Sequence, residues 1–311
     1  MTENKEKVIP LVNKKILTVC LIIIVIGAIL IFTAPQLRNI ASDNEKTSNN
    51  DKSTDHVDFI TFIEGKQHIV SVLKKDLLFD VSISYDKNKN PEFVNIYENP
   101  KFLDIYRQVG FPSQSNDTVF IYPIFTQAAY SRHGFYDYYH NVCGHECLTV
   151  SIPSQFVPTY SASMTATIVL SLLNYSHITD DDVDKNPDIL KKYHKVIVLH
   201  NEYVTKREFD AITSHPNVLY LFPNALYAEV KTDYKNNTIM LIRGHGYPDS
   251  SILNGFGWKF DNTYFESNTS CDNMTFTTIP NGSMLNCYPA YRALFDKSFL
   301  EMIKTQESNN R

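Results

Sequence analysis

Residues 195–230, KVIVLHNEYVTKREFDAITSHPNVLYLFPNALYAEV, constrain the fold of this chain more than any other stretch. Val196, Ile197, Val198 and Leu199 form a short apolar run that suits a strand buried on both faces. His200, Asn201, Glu202 and Tyr203 follow at the point where that strand ends. Thr205 with Glu208 three residues on is a capping-box pattern, so the spacing predicts a helix from about Lys206. Phe209 and Ile212 supply its inner face, and Pro216 stops it. Residues 218–222 read as the next strand, with Asn224 and Tyr227 just past its end.

The same grammar extends upstream. Residues 119–125 (VFIYPIF) read as a strand ending at Thr126 and Gln127, and the aromatic-rich stretch 130–139 reads as a loop. Residues 148–152 form a short strand. Residues 163–173 form a helix with Met164, Ile168, Leu172 and Leu173 on its inner face. Residues 176–180 give another strand, and Asn186–Pro187 opens a further helix. Strands alternating with helices predict βαβ units and a largely parallel, twisted sheet over 113–230. Beyond 230 the pattern turns antiparallel, with TIMLIRGHGYP, FGWKFDNTYF, MTFTTIP and SMLNCYP as strands and a tight turn at Asn281–Gly282. A helix over 298–304 closes the chain. Residues 58–112 form a strand-rich extension with a turn at 86–91 and a short helix over 100–109.

Residues 16–34, ILTVCLIIIVIGAILIFTA, carry no charge over 19 positions, close to the length of a membrane-spanning helix. Lys5, Lys7, Lys14 and Lys15 precede the run, and only Arg38 and Lys46 follow it closely, which places residues 1–15 in the cytoplasm and the rest outside. The run is too long for a cleaved signal peptide. Residues 35–57 are polar and aperiodic, as a flexible stalk is. The expectation is a single-pass protein of the cell membrane whose partner is the lipid bilayer. A net charge of −5 and the lack of a basic, aromatic-studded patch argue against nucleic acid.

Export bears on the cysteines. Cys143, Cys147, Cys271 and Cys287 are an even set in an oxidising compartment, which predicts two disulfides. Three pairings exist, and spacing favours Cys143–Cys147 with Cys271–Cys287. His140 and His145 also give HNVCGHEC the look of a zinc loop, but structural zinc sites draw their ligands from two segments. Asn116, Asn174, Asn236, Asn268, Asn273 and Asn281 head glycosylation sequons.

Ligands of open α/β sheets bind beyond the carboxyl ends of the strands, where strand order reverses. Those ends carry Thr126 and Gln127, Asp180, His200, Glu202 and Tyr203, then Asn224 and Tyr227. Glu202 suits a general base or metal ligand, or a helix cap. His200 suits a ligand or acid–base role, or a backbone hydrogen bond. Asp180 suits a group that orients His200, or a strand terminator. Arg243 and His245 are placed to return to the same rim, or to sit in an exposed loop. No G-x-S-x-G elbow is present, and no exported Cys follows a strand as a nucleophile.

Three segments carry a resemblance: PIFTQAAYSRHGFYDYY, ITDDDVDKNPDILKKYHKVIVLHNEYVT and NVLYLFPNALYAEV. They resemble the C-terminal domain of the N,N-dimethylformamidase large subunit, within the class I glutamine amidotransferase-like fold. The matching motifs fall on Gln127 to Tyr130, Thr179 to Asp182, His200 to Tyr203 and Asn224 to Tyr227. The likeness covers about residues 118–243 and is shared with membrane-anchored archaeal proteins. It implies a flavodoxin-like sheet. No Cys lies near Pro223 and Asn224, where an amidotransferase has its nucleophile, so glutaminase chemistry is not implied. Dimethylformamidase-like enzymes hydrolyse a small amide with iron held by tyrosines and a glutamate. Carried over, Tyr203 and Tyr227 are the tyrosines, with Glu266 or Glu229 as the carboxylate; the catalytic candidates remain the strand-end residues His200, Glu202, Asn224 and Asp180. Phenolate and carboxylate are hard ligands suited to a Lewis-acidic ferric ion. Two readings follow: a metal-dependent amide or C–N hydrolase, or a non-catalytic surface protein that keeps the fold for ligand binding or cell-envelope structure.

Overall fold

The computed structural model describes residues 55–63, 66–85, 91–154, 157–159, 162–289 and 291–306. The expected span at 16–34 and nearly all of the stalk lie outside the described residues. Among those described, no helix is long and apolar enough to cross a membrane. The architecture is mixed α/β, with parallel and antiparallel sheets.

The N-terminal strands are His56–Ile63 (β1) and Lys66–Leu73 (β2), an antiparallel pair. Phe79–Tyr85 (β3) and Pro91–Glu98 (β4) make a two-stranded sheet of their own, and most of the turn expected at 86–91 lies outside the described residues. The helix expected over 100–109 is a 3₁₀ turn at Pro100–Phe102 running into Leu103–Val109 (α1).

The strand expected over 119–125 is shorter, Thr118–Tyr122 (β5), and wholly buried. Pro123 ends it and a helix, Ile124–Ala129 (α2), begins at once. The stretch read as an aromatic loop holds a second short helix, Phe135–Tyr139 (α3). Thr149–Ser151 (β6) precedes Met164–Leu172 (α4). The buried face of α4 carries Ala166, Thr167, Val169 and Leu170, not the expected Met164, Ile168 and Leu172. Ser176–Thr179 (β7) leads into Asp180–Lys185 (α5), which a full capping box between Thr179 and Asp182 starts. The element opened by Pro187 is a 3₁₀ turn, Pro187–Lys192.

Lys195–Val198 (β8) is buried throughout, followed by Tyr203–Thr205 (β9), Lys206–Ser214 (α6) and Val218–Tyr220 (β10). Thr205 caps α6 by accepting from the Glu208 N–H. The expected capping box is only half formed, because the Glu208 carboxyl turns into the core and is fully buried. Ala228–Asp233 (β11), Thr238–Arg243 (β12), Phe276–Ile279 (β13), Gly282–Leu285 (β14) and Lys297–Thr305 (α7) complete the chain. The strand expected in FGWKFDNTYF is absent; that segment runs as turns with a 3₁₀ turn at Thr263–Phe265.

The main sheet has the order β7-β5-β8-β10-β14-β13, parallel from β7 to β14 with β13 antiparallel at one edge. Counting the parallel strands along the chain gives 2-1-3-4-5. The chain runs outward from β5 to β7, then crosses to β8 on the other side of β5. That reversal leaves a crevice beyond the carboxyl ends of β5 and β8. Gly282 is required where β14 joins, since a Cβ there would stand 1.8 Å from the Val218 carbonyl oxygen. Val119, Ile121, Val196, Val198, Val218, Ile212 and Leu226 share one core cluster. Each such side chain contributes about 1.5–3 kcal/mol by leaving water. A second sheet, β6-β12-β11-β9, mixes parallel and antiparallel pairs. Both favoured disulfides are present, Cys143–Cys147 and Cys271–Cys287.

Candidate functional site

The segment between β8 and β9 crosses the mouth of the crevice. Thr126, in α2, fixes it there: its hydroxyl accepts from the backbone N–H groups of Glu202 at 3.0 Å and Tyr203 at 3.2 Å. The second lip is stitched to the first through main chain. Leu226 N–H donates to the Asn201 carbonyl at 2.8 Å, and Tyr227 and Ala228 N–H donate to the Glu202 carbonyl at 3.0 and 2.9 Å. To make that turn, Asn224 (φ 60°) and Leu226 (φ 57°) adopt the left-handed conformation. For a buried leucine this is strained backbone, of the kind that gathers at functional sites.

Glu202 is fully buried at the centre. The Tyr130 hydroxyl donates to its Oε2 at 3.0 Å. The Tyr136 hydroxyl lies 3.0 Å from its Oε1 and 2.6 Å from the Tyr130 oxygen. Tyr136 has one proton for both neighbours, so the three groups form a single coupled set. Among the described residues, the basic groups within ion-pairing distance of Glu202 are two imidazoles, His245 Nε2 at 3.5 Å and His200 Nε2 at 3.7 Å. His200 is buried and His245 is 31% exposed, so His245 stands at the opening.

His245 reaches this place through a loop that few sequences can make. Gly244, His245 and Gly246 have φ of 111°, 54° and 76° in succession. A Cβ on Gly244 would stand 2.9 Å from the Ala228 Cα. The His245 ring stacks on Tyr139 at 4.4 Å and meets Tyr136 and Tyr227 edge-on at 5.6 and 5.7 Å. Tyr203 is fully buried with Phe135 against its edge, and its hydroxyl has no hydrogen bond of acceptable geometry.

Electrostatics follow from this packing. Burial, and then the nearby Glu266 carboxylate, push the Glu202 carboxyl up to about 8, although phenol hydrogen bonds pull the other way. Burial and Glu202 raise Tyr130, Tyr136 and Tyr203 above the ordinary phenol range. Burial lowers His245 and raises Glu266, the latter against a hydrogen bond from Asn224. Burial leads every one of these shifts, and among the acids the neighbouring negative charge adds to it at Glu202, Tyr130, Tyr136 and Tyr203. A hard cation there would reverse each acid's shift, and two phenols plus a carboxylate are ligands suited to one.

The expected residues fare unequally. His200, Glu202, Tyr203, Asn224 and Tyr227 are brought together. Tyr227 is half-buried, raised by burial and then by Asp261, Glu202 and Glu266. Glu266 keeps an exposed face and Glu229 pairs within β11 and β12 opposite Arg243, which is itself exposed. Asp180 accepts from the Asn201 side chain and from Phe125 N–H at 2.9 Å, which ties it to the residue after His200. The tyrosines with well-formed hydrogen bonds to the Glu202 carboxylate are Tyr130 and Tyr136, and the Tyr203 hydroxyl lies close to it as well. Tyr130 closes the QAAY segment, and Tyr136 follows six positions later, which was the available signal. The disulfide favoured over a zinc loop in this stretch is formed, and neither His140 nor His145 is grouped with its sulfurs. His133 is, and both sulfurs are already bonded to one another.

Comparison with known protein families found no matching family model, and comparison with curated proteins found no match.

Proposed function

We propose that this chain is a single-pass membrane protein, anchored by residues 16–34, whose extracytoplasmic flavodoxin-like core is a metal-dependent hydrolase of amides or related C–N bonds. The carrying observation is the convergence of the Tyr130 and Tyr136 hydroxyls on the buried Glu202 at the strand-order reversal. That set, two tyrosines and a glutamate, matches the donors that the dimethylformamidase resemblance implies, on residues other than Tyr203, Tyr227 and Glu266. A ferric ion held there would act as a Lewis acid toward an amide carbonyl or water. The chain's own groups do the rest. Burial keeps His245 neutral and able to accept a proton from water at the opening. Asn224 and Tyr227 line the opposite lip. Thr126 and the left-handed turn hold both lips at fixed separation. The two disulfides and the sequons fit an oxidising, extracytoplasmic setting.

The test is metal content and visible absorbance of the full chain purified in detergent. Wild type should carry iron and a phenolate-to-iron colour, and Tyr130→Phe or Tyr136→Phe should bleach it. A folded, colourless, metal-free protein would sink the hydrolase reading in favour of a non-catalytic surface binding protein.

A further inference from the structure

A second concentration of reactive groups lies outside the crevice, around the loop that leaves α3. One nitrogen of His133 and the sulfurs of Cys143 and Cys147 all fall within 4.8 Å of one another. The two sulfurs differ in access: Cys143 is half-buried, whereas Cys147 is 1% exposed. His133 is exposed, and its backbone is held left-handed (φ 57°) while its N–H donates to Asp137 Oδ2 at 2.5 Å. The other disulfide offers a control within the same molecule. Cys271 and Cys287 are both buried, at 1% and 0%, and among the described residues no such cluster includes them.

We propose that Cys143–Cys147 is a thiol–disulfide exchange site, with His133 as its proton donor, that accepts two electrons from a dithiol. Thiolate attack requires a line of approach to one sulfur and a stabilised leaving group at the other. Access selects Cys143 Sγ as the sulfur attacked. A bond forms between the dithiol's sulfur and Cys143, the Cys143–Cys147 bond breaks, and Cys147 leaves with the electron pair and takes a proton from His133. The dithiol's second thiolate then attacks its own sulfur in the mixed disulfide. Cys143 leaves and is protonated from solvent. The dithiol ends as a disulfide, and this chain ends with two thiols. Nothing in this chemistry uses Glu202 or a metal, so it stands or falls apart from the hydrolase reading.

The experiment treats the full chain in detergent with dithiothreitol or, separately, with glutathione, quenches by alkylation and maps the cysteines by mass spectrometry. Cys143–Cys147 should open at least about tenfold faster than Cys271–Cys287, with the glutathione adduct on Cys143. His133→Asn, chosen because asparagine tolerates the left-handed backbone, should slow that opening several-fold and leave Cys271–Cys287 unchanged. Equal opening rates, an adduct on Cys147, or a His133→Asn variant as fast as wild type would each overturn the proposal. Should that variant fail to fold, the adduct position in the wild-type chain decides alone.

Discussion

Two groups of fully buried acids flank the 200–203 segment, and they differ in what surrounds them. Asp180 accepts from Phe125 N–H and from the Asn201 side chain, and Glu208 lies near enough for each carboxyl to act on the ionisation of the other. Burial pushes Asp180 up to about 7, and burial with Asp180 raises Glu208. Asp184 beside them accepts from the Thr205, Thr232 and Tyr234 hydroxyls. This first group is enclosed and braces α2, α5 and α6 against the segment. Glu202 is equally buried, yet it faces phenols and two imidazoles, one of which is partly exposed. A raised carboxyl therefore does not mark a site by itself; access and adjoining proton carriers do.

Substitutions at Glu208 should give the largest stability effect. Glu208→Ala removes the carboxyl beside Asp180 and leaves a hole among buried acids, which should cost about 3–5 kcal/mol in denaturant unfolding if the two carboxyls share a proton. Glu208→Gln keeps a donor toward Asp180 and should stay within about 1.5 kcal/mol of wild type at pH 7. Equal losses would show that the pair does not share a proton and would break the contrast with Glu202.

The pH profile tests both groups together. Their folded values lie above those of the unfolded chain, so the folded protein binds more protons over the interval between them. Stability is then full below about pH 4, the unfolded carboxyl range. It falls as pH rises through about 7 for Asp180 and about 8 for Glu202. Thermal melting at pH 5 and pH 8.5 should show this fall. Glu202→Gln should flatten its upper part and make the metal-free protein more stable at pH 8.5 than wild type. Added ferric ion should rescue wild type at that pH and leave Glu202→Gln unmoved.

The tyrosines sharpen the comparison on a smaller scale. Tyr130→Phe and Tyr136→Phe each remove a hydroxyl bonded to Glu202 and should cost about 1 kcal/mol without metal, besides bleaching the bound iron. Tyr203→Phe removes a hydroxyl that lies close to Glu202 and Tyr136 without a hydrogen bond of good geometry, so stability should move by no more than about 0.5 kcal/mol and the colour should persist. Bleaching by Tyr203→Phe alone would return the metal to the residues first expected from the resemblance.

What could be read from residues alone follows physical lines. β8, α6 and β10 were legible because a buried strand and a capped helix write periods and punctuation into the sequence. α2 and α3 were not, since five or six residues are too few to show a helical period. Glu208 was misread because one residue served two patterns, a capping box and an inward helix face, and packing chose the second. β14 could not be placed, because its pairing with β10 spans some sixty residues and leaves no local trace. At the site, the strand-end rule found Glu202 and His200. It could not find Tyr136, which reaches the carboxylate only through the short helix that the aromatic stretch concealed.

The smallest expected effect carries the distinction between engaged and accessible polar groups to the surface. The Asn281 side chain is half-buried and donates to the Ile212 carbonyl and the Tyr220 hydroxyl at 3.2 and 3.0 Å, and Asn268 donates to the Asn286 carbonyl at 2.9 Å. Asn116 and Asn273 are exposed. A glycan on Asn281 would replace one of the two amide hydrogens that make these contacts and crowd the half-buried site, so that sequon should stay bare in the folded chain. Expressed in a glycosylating host, Asn116→Gln and Asn273→Gln should each lower the mass by one glycan without moving the melting point. Asn281→Gln should leave the mass of the glycans unchanged and destabilise by about 1 kcal/mol through its lost hydrogen bonds. A glycan found on Asn281 would mean that its amide is free when the chain is modified, and that its two contacts form only where the sugar is absent.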